Sequence, residues 1–116
     1  MNNLTTFKQL KSKFVIDNFA QKTVYQINKD LNGLTLMQVY FKLTNDNLKE
    51  ISNQLSLILK DLSENSQLQQ FIYLVDLPEK QWRLFLSNND FIFLCHQIII
   101  REAQKVYLKE MFSKSD

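Results

Sequence analysis

The sequence predicts an all-α fold, and two features of its composition support that prediction. The chain of 116 residues contains one Gly and one Pro, whereas all-β domains use both residues in their many tight turns. Hydrophobic residues make up 45% of the chain and charged residues 22%, values typical of a folded domain. We therefore expect residues 1–116 to form a single domain, a small bundle of about five to six helices around a buried helix near 91–112.

The first predicted helix covers residues 6–31. Phe7, Leu10 and Phe14 fall on one helical face, and an apolar stripe then continues toward the end of the segment. The Asn-Gly pair that ends at Gly33 is a natural stop, because glycine accepts the left-handed conformation that follows many helices.

The same Asn-Gly pair also permits a β-hairpin, which would make the domain α+β. Several strand-forming residues lie within 23–43, and Asn-Gly is the preferred two-residue hairpin turn. A hairpin at 23–43 would place Lys29 opposite Leu36, so neither of its faces would be uniformly apolar. We favour the helix and keep the hairpin as the alternative.

Capping residues mark the expected starts of the helices in the middle of the chain. A capping box has Ser or Thr at the cap and Glu or Gln three residues later, and it begins at Thr35 and again at Ser66. The first box precedes a short helix over 36–43, and the second precedes a helix that carries Val75. Between them, apolar residues at intervals of three and four over 46–62 predict an amphipathic helix.

The last two predicted helices begin near Pro78 and near Asp90. Asp76 is a good helix cap, and Pro is tolerated in a first turn, where its missing N–H would have no partner. The final helix is expected from Asp90 to about Phe112. Its first half is apolar nearly all round and should be buried on most sides, whereas its second half should emerge toward solvent.

The residues show no pattern typical of catalysis or of metal or cofactor binding, so we expect a protein that is not an enzyme and holds no cofactor. Cys95 and His96 are an adjacent nucleophile and base, but neighbouring helical residues point about 100° apart. A zinc site needs three or four ligands, and the chain has one Cys and one His. We interpret Cys95 as a small buried apolar residue.

Trp82, Arg83, Tyr107 and Phe112 are the candidate interface residues. Aromatic and arginine side chains anchor many protein interfaces. Because no reaction centre is evident, we interpret the chain as a small helical protein–protein interaction module, that is, an adaptor, regulator or assembly factor. Its partner would be another protein or a second copy of the chain.

The alternative interpretation is a nucleic-acid-associated protein that uses a basic first helix. Lys8, Lys11 and Lys13 would then face phosphates. Asp17 and Asp30 interrupt this positive charge, and the net charge of the whole chain is only +2. No glycine turn of a helix-turn-helix and no aromatic RNA platform accompanies the lysines, so we rank nucleic-acid binding second.

Cysteine usage and the lengths of apolar runs bear on the compartment. A single Cys excludes an internal disulfide and favours the cytoplasm or another reducing compartment. The longest apolar run, 91–100, is about half as long as a membrane span, so no transmembrane segment is expected. Residues 73–79 and 98–106 resemble stretches of small helical proteins of bacteria and plastids, which makes the plastid stroma a second candidate location.

Overall fold

The computed structural model describes residues 9, 12, 19–34 and 48–113, and it shows an all-α fold. Within those residues the chain forms five long helical elements and no strand. The elements are α1 (Phe19–Leu31), α2 (Leu48–Glu64), α3 (Leu68–Val75), α4 (Glu79–Asn88) and α5 (Phe91–Ser113). The predicted fold class is therefore confirmed.

The alternative hairpin at 23–43 is wrong, because residues 23–31 lie within α1. Helix α1 ends at Leu31 as predicted, but Gly33 does not have the positive φ expected of it. A Cβ atom at Gly33 would lie 3.0 Å from Leu74 Cδ1 of α3, so a larger residue there would require the Leu74 side chain to shift by a few tenths of an ångström. The predicted short helix over 36–43 lies outside the described residues.

Two predicted helix caps have different outcomes. Asp90 caps α5 as predicted, since its Oδ1 accepts hydrogen bonds from the backbone N–H groups of Ile92 (3.1 Å) and Phe93 (3.2 Å). Ser66 does not cap α3. Gln67 directly precedes α3, and its side chain makes no capping hydrogen bond.

Three helices end in a residue with left-handed backbone, a position that glycine fills in most proteins. Ser66 follows α2, Asp76 follows α3 and Asn89 follows α4, with φ values of 60°, 63° and 54°. After Ser66 and after Asp76, the next N–H donates to a carbonyl five residues earlier, at 2.8 Å and 3.3 Å. Ser66 and Asp76 therefore terminate the preceding helix rather than cap the following one, which corrects the prediction.

Helix α5 lies at the centre of the bundle, as predicted, and packs against each of the other four helices. Its fully buried residues are Leu94, Cys95, Ile98, Ile99, Glu102 and Ala103. The expected division of α5 into a buried first half and a second half that emerges toward solvent is confirmed in outline, since Leu108, Met111 and Phe112 are exposed, but two residues depart from it. Ile92 in the first half is 64% exposed, whereas Glu102 in the second half is 0% exposed. No helix among the described residues is long and apolar enough to cross a membrane.

Candidate functional site

Trp82 lies at a shallow groove between α3 and α4, with a volume of about 200 Å³. The other residues that line the groove are Gln69, Ile72, Tyr73, Asp76, Leu77 and Glu79. Ile72 and Leu77 are buried, whereas Tyr73 is 82% exposed. The groove therefore combines an apolar base with an accessible aromatic ring at its edge.

The short connection between α3 and α4 creates this groove. The left-handed backbone of Asp76 reverses the chain after Val75, and Pro78 then precedes α4 with a φ of −57°. Arg101 of α5 holds the connection, because its Nε donates to the carbonyl oxygen of Asp76 (2.8 Å) and its guanidinium contacts Asp76 Oδ2 at 3.0 Å. The central helix thus fixes the position of the groove.

The Trp82 ring is held in place by an aromatic row. It stacks on Phe85, with ring centroids 5.5 Å apart and an angle of 23° between the planes. Phe85 in turn makes an edge-to-face contact with Phe91 at 5.0 Å. Phe85 is buried and Trp82 is half-buried, so part of a rigid indole ring reaches the surface. Leu86, one helical turn after Trp82, is 60% exposed.

Arg83 adds an accessible positive charge beside Trp82. Its guanidinium pairs with Glu79 one turn earlier on α4, at 2.7 Å, and both side chains are mostly exposed. A pair of this kind contributes little to stability, since water solvates both charges. Arg83 can therefore exchange Glu79 for a carboxylate of another molecule at small cost.

The other two candidate interface residues lie farther along α5. Arg101 contacts the short connection between α3 and α4. Phe112 lies about 16 Å farther along the axis of α5 than Arg101. Tyr107 packs partly against the core, whereas Phe112 is 73% exposed. Trp82 and Arg83 are consecutive residues of α4, and only Trp82 lines the groove, while Tyr107 and Phe112 lie on α5.

Cys95 is fully buried, which confirms the prediction that it is a small buried residue. Its Sγ donates to the carbonyl oxygen of Ser52 at 3.2 Å. Burial raises the pKa of the Cys95 thiol to about 11, and a contact with the Ser56 hydroxyl only partly opposes that change. The thiol is protonated at neutral pH and is therefore a poor nucleophile. Burial lowers the pKa of the adjacent His96, against the opposing effect of the Asp90 carboxylate.

A cluster of titratable side chains lies between α1 and α5. The sites predicted from the sequence do not include it. Glu102 is fully buried, and Lys105 Nζ lies 2.8 Å from its Oε1. Lys105 Nζ also lies 2.8 Å from Asp30 Oδ2 and 3.4 Å from the carbonyl oxygen of Leu74 in α3. Lys105 therefore connects three helices.

Burial raises the pKa of Glu102 to about 9, the nearby Asp30 carboxylate adds to the increase, and Lys105 opposes it. Glu102 is therefore protonated at neutral pH. Although burial lowers the pKa of Lys105, its two carboxyl neighbours raise it overall, so Lys105 is charged. The sequence did contain a signal, because Glu102 lies four residues after Ile98 and four before Val106. It thus occupies a position in the apolar stripe of α5.

Lys8, Lys11 and Lys13, the predicted phosphate-facing residues, lie outside the described part of the chain. Lys22 of α1 forms an ion pair with Glu110 of α5. Its charge is therefore partly neutralised within the fold.

The described residues contain no group of three or more His, Cys, Asp or Glu side chains placed to hold a metal ion. Comparisons with protein families, with curated proteins and with solved structures give no match for this chain.

Proposed function

We infer that this protein is a protein–protein interaction module that binds its partner through the exposed part of α3 and α4. The binding surface consists of Tyr73, Trp82, Arg83 and Leu86, and we refer to it as the α3–α4 surface. The observation that supports it most directly is the 82% exposure of Tyr73 at a groove that also contains the anchored Trp82 ring.

The residue types of this surface match those that contribute most to binding in protein interfaces. Trp, Tyr and Arg are enriched among such residues, particularly where they surround a small pocket. The apolar base of the groove, with the exposed Asp76 and Glu79 at its margin, also resembles the apolar centre and polar rim of an interface.

The rigidity of Trp82 favours binding as well. A partner that covers a mobile side chain loses part of its binding energy to the ordering of that side chain. The stacking on Phe85 orders the indole ring before any partner arrives.

Paired surface variants test this function. Tyr73→Ser combined with Leu86→Ser removes two exposed side chains, and Leu57→Ser removes one that is similarly exposed on α2. Because all three positions are exposed, each variant should fold with wild-type helix content by circular dichroism. Each protein would be used as bait in extracts of its native cells, with the retained proteins identified by mass spectrometry.

We expect the wild type and Leu57→Ser to retain the same partner, and the Tyr73→Ser/Leu86→Ser variant to lose it. Sedimentation of each purified protein would reveal whether the partner is a second copy of the chain. Equal retention of the partner by all three proteins would exclude the α3–α4 surface, and so would crosslinking of the partner from position 57 but not from position 73.

A further inference from the structure

A second groove lies between α1 and α5, and we refer to it as the α1–α5 groove. Its volume is about 410 Å³, compared with about 200 Å³ for the groove at Trp82. Among the described residues, the two grooves have no lining residue in common. The larger volume lies within the range of small-molecule sites, about 300–1,000 Å³, so this groove has room for a small organic ligand.

The interior of the α1–α5 groove is largely apolar. Val106 of α5 lines it and is buried. Lys22 and Lys109 also line it, and lysine side chains present a methylene chain between the backbone and the ammonium group. Tyr25 of α1 adds an aromatic ring that is 72% exposed. Because aromatic rings prefer offset or edge-to-face contacts with one another, the groove suits a ligand with an aromatic group.

One cation at this groove has no carboxylate partner among the described residues. Lys109 Nζ donates to the neutral side chain of Gln26, with 2.7 Å between Nζ and Oε1, and it makes no ion pair with a described residue. Lys22, in contrast, is paired with Glu110. Gln26 is buried, so this hydrogen bond ties the Lys109 ammonium group to a fixed point. An ammonium group has three N–H donors, and two of them remain for a ligand.

We propose that the α1–α5 groove binds a small aromatic carboxylate. The carboxylate accepts a charge-assisted hydrogen bond from Lys109, and the ring lies against Val106 and Tyr25. The Glu110 carboxylate also lines the groove and repels a dianion such as a phosphate more strongly than a monoanion. The site is independent of the α3–α4 surface, and a ligand there would be a second function of the chain.

Nuclear magnetic resonance titrations with phenylacetate, phenylacetamide and sodium chloride at matched ionic strength test this site. The amide signals of residues 21–26 and 106–110 should shift with phenylacetate and saturate. Phenylacetamide has a similar shape without the charge and should bind at least about tenfold more weakly, as expected for the loss of a charge-assisted hydrogen bond. Sodium chloride should leave these signals in place.

Two pairs of variants show whether the shifts report a specific site. Lys109→Gln should weaken phenylacetate binding at least about tenfold, whereas Lys29→Gln removes an exposed charge of α1 outside the groove and should leave the affinity unchanged. Tyr25→Ser should also weaken binding, and Tyr73→Ser, which removes a similarly exposed ring from α3, should not.

Equal affinities for phenylacetate and phenylacetamide would overturn the proposal, and so would equal weakening by Lys109→Gln and Lys29→Gln. Thermal melting of each variant shows whether it folds like the wild type. If the loss of the contact with Gln26 unfolds Lys109→Gln, the two tyrosine variants decide the question, because both positions are exposed. Equal binding by Tyr25→Ser and Tyr73→Ser would then contradict the site.

Discussion

The contacts of α5 with α2 and with α1 differ in chemistry. The buried residues of α2 are all apolar, namely Leu48, Ile51, Leu55, Leu59 and Leu62, and Cys95 of α5 adds a hydrogen bond to a backbone carbonyl of α2. The contact with α1 also contains apolar residues, but it adds three polar contacts, namely Lys22 with Glu110, Gln26 with Lys109, and Asp30 with Lys105. One central helix therefore combines two kinds of interface.

The difference shows what each interface contributes. Apolar packing supplies most of the free energy of folding, but it is non-directional. The polar contacts between α1 and α5 join later residues of one helix to earlier residues of the other, so they all form only in one antiparallel register. We interpret the α2–α5 interface as the main source of stability and the α1–α5 interface as the one that sets helix position.

The largest expected effect comes from breaking the polar interface. Lys105→Met should reduce the free energy of unfolding by about 3–5 kcal/mol, because it leaves the largely buried Asp30 without its cation. Lys29→Met, an exposed site on α1, should change it by less than about 0.5 kcal/mol. Urea unfolding followed by circular dichroism measures both values. A loss below 1 kcal/mol in Lys105→Met would mean that the cluster contributes little.

The next effect concerns the apolar core around α5. Ile98→Ala should reduce the free energy of unfolding by about 2–4 kcal/mol, since the side chain is fully buried and its removal leaves a cavity. Ile92→Ala removes the same atoms from a side chain that is 64% exposed and should cost well under half as much. Equal losses in the two variants would contradict the placement of α5.

A smaller effect of opposite sign is expected at the end of α2. Ser66→Gly should raise the free energy of unfolding by about 0.5–1 kcal/mol, because glycine adopts the left-handed backbone without steric cost. Ser63→Gly places the same residue in the last turn of α2 and should lower it by about the same amount. Denaturation midpoints measured side by side give both signs, and a destabilised Ser66→Gly would show that this position is not left-handed in solution.

Sequence periodicity was sufficient to predict the apolar part of the fold. The apolar intervals in 46–62 and 91–100 gave two helices and placed α5 at the centre. Cap residues were less informative, because Ser and Asp occur both before helices and at left-handed positions after them. In a chain with one Gly, Ser66 and Asp76 took the second role, which the local sequence does not distinguish from the first.

The candidate sites were predictable only as residue types. The chemistry of Trp82 and Arg83 predicts an interface, whereas the groove at Trp82 depends on the contact of Arg101 with Asp76, which connects residues distant in sequence. Glu102 lies in the second half of α5, which the sequence predicts to emerge toward solvent, and carboxylates are rarely fully buried. Its burial follows from its position in the apolar stripe of α5, between Ile98 and Val106.

The pH dependence of stability tests the buried state of Glu102, on which the account of the α1–α5 interface depends. Its pKa rises from 4.5, the ordinary value, to about 9 on folding, so the folded state holds a proton that the unfolded state releases between these values. The contribution of Glu102 to stability should therefore be fully present below about pH 4.5 and should be lost as the pH rises toward 9.

Glu102→Gln keeps the shape of the side chain and cannot lose a proton, and Glu64→Gln makes the same change at an exposed position. The decisive measurement is the difference in the free energy of unfolding between wild type and Glu102→Gln at several pH values from 5 to 9. We predict that this difference grows steadily with pH in favour of Glu102→Gln, while Glu64→Gln follows the wild type. Parallel pH profiles for wild type and Glu102→Gln would contradict the account.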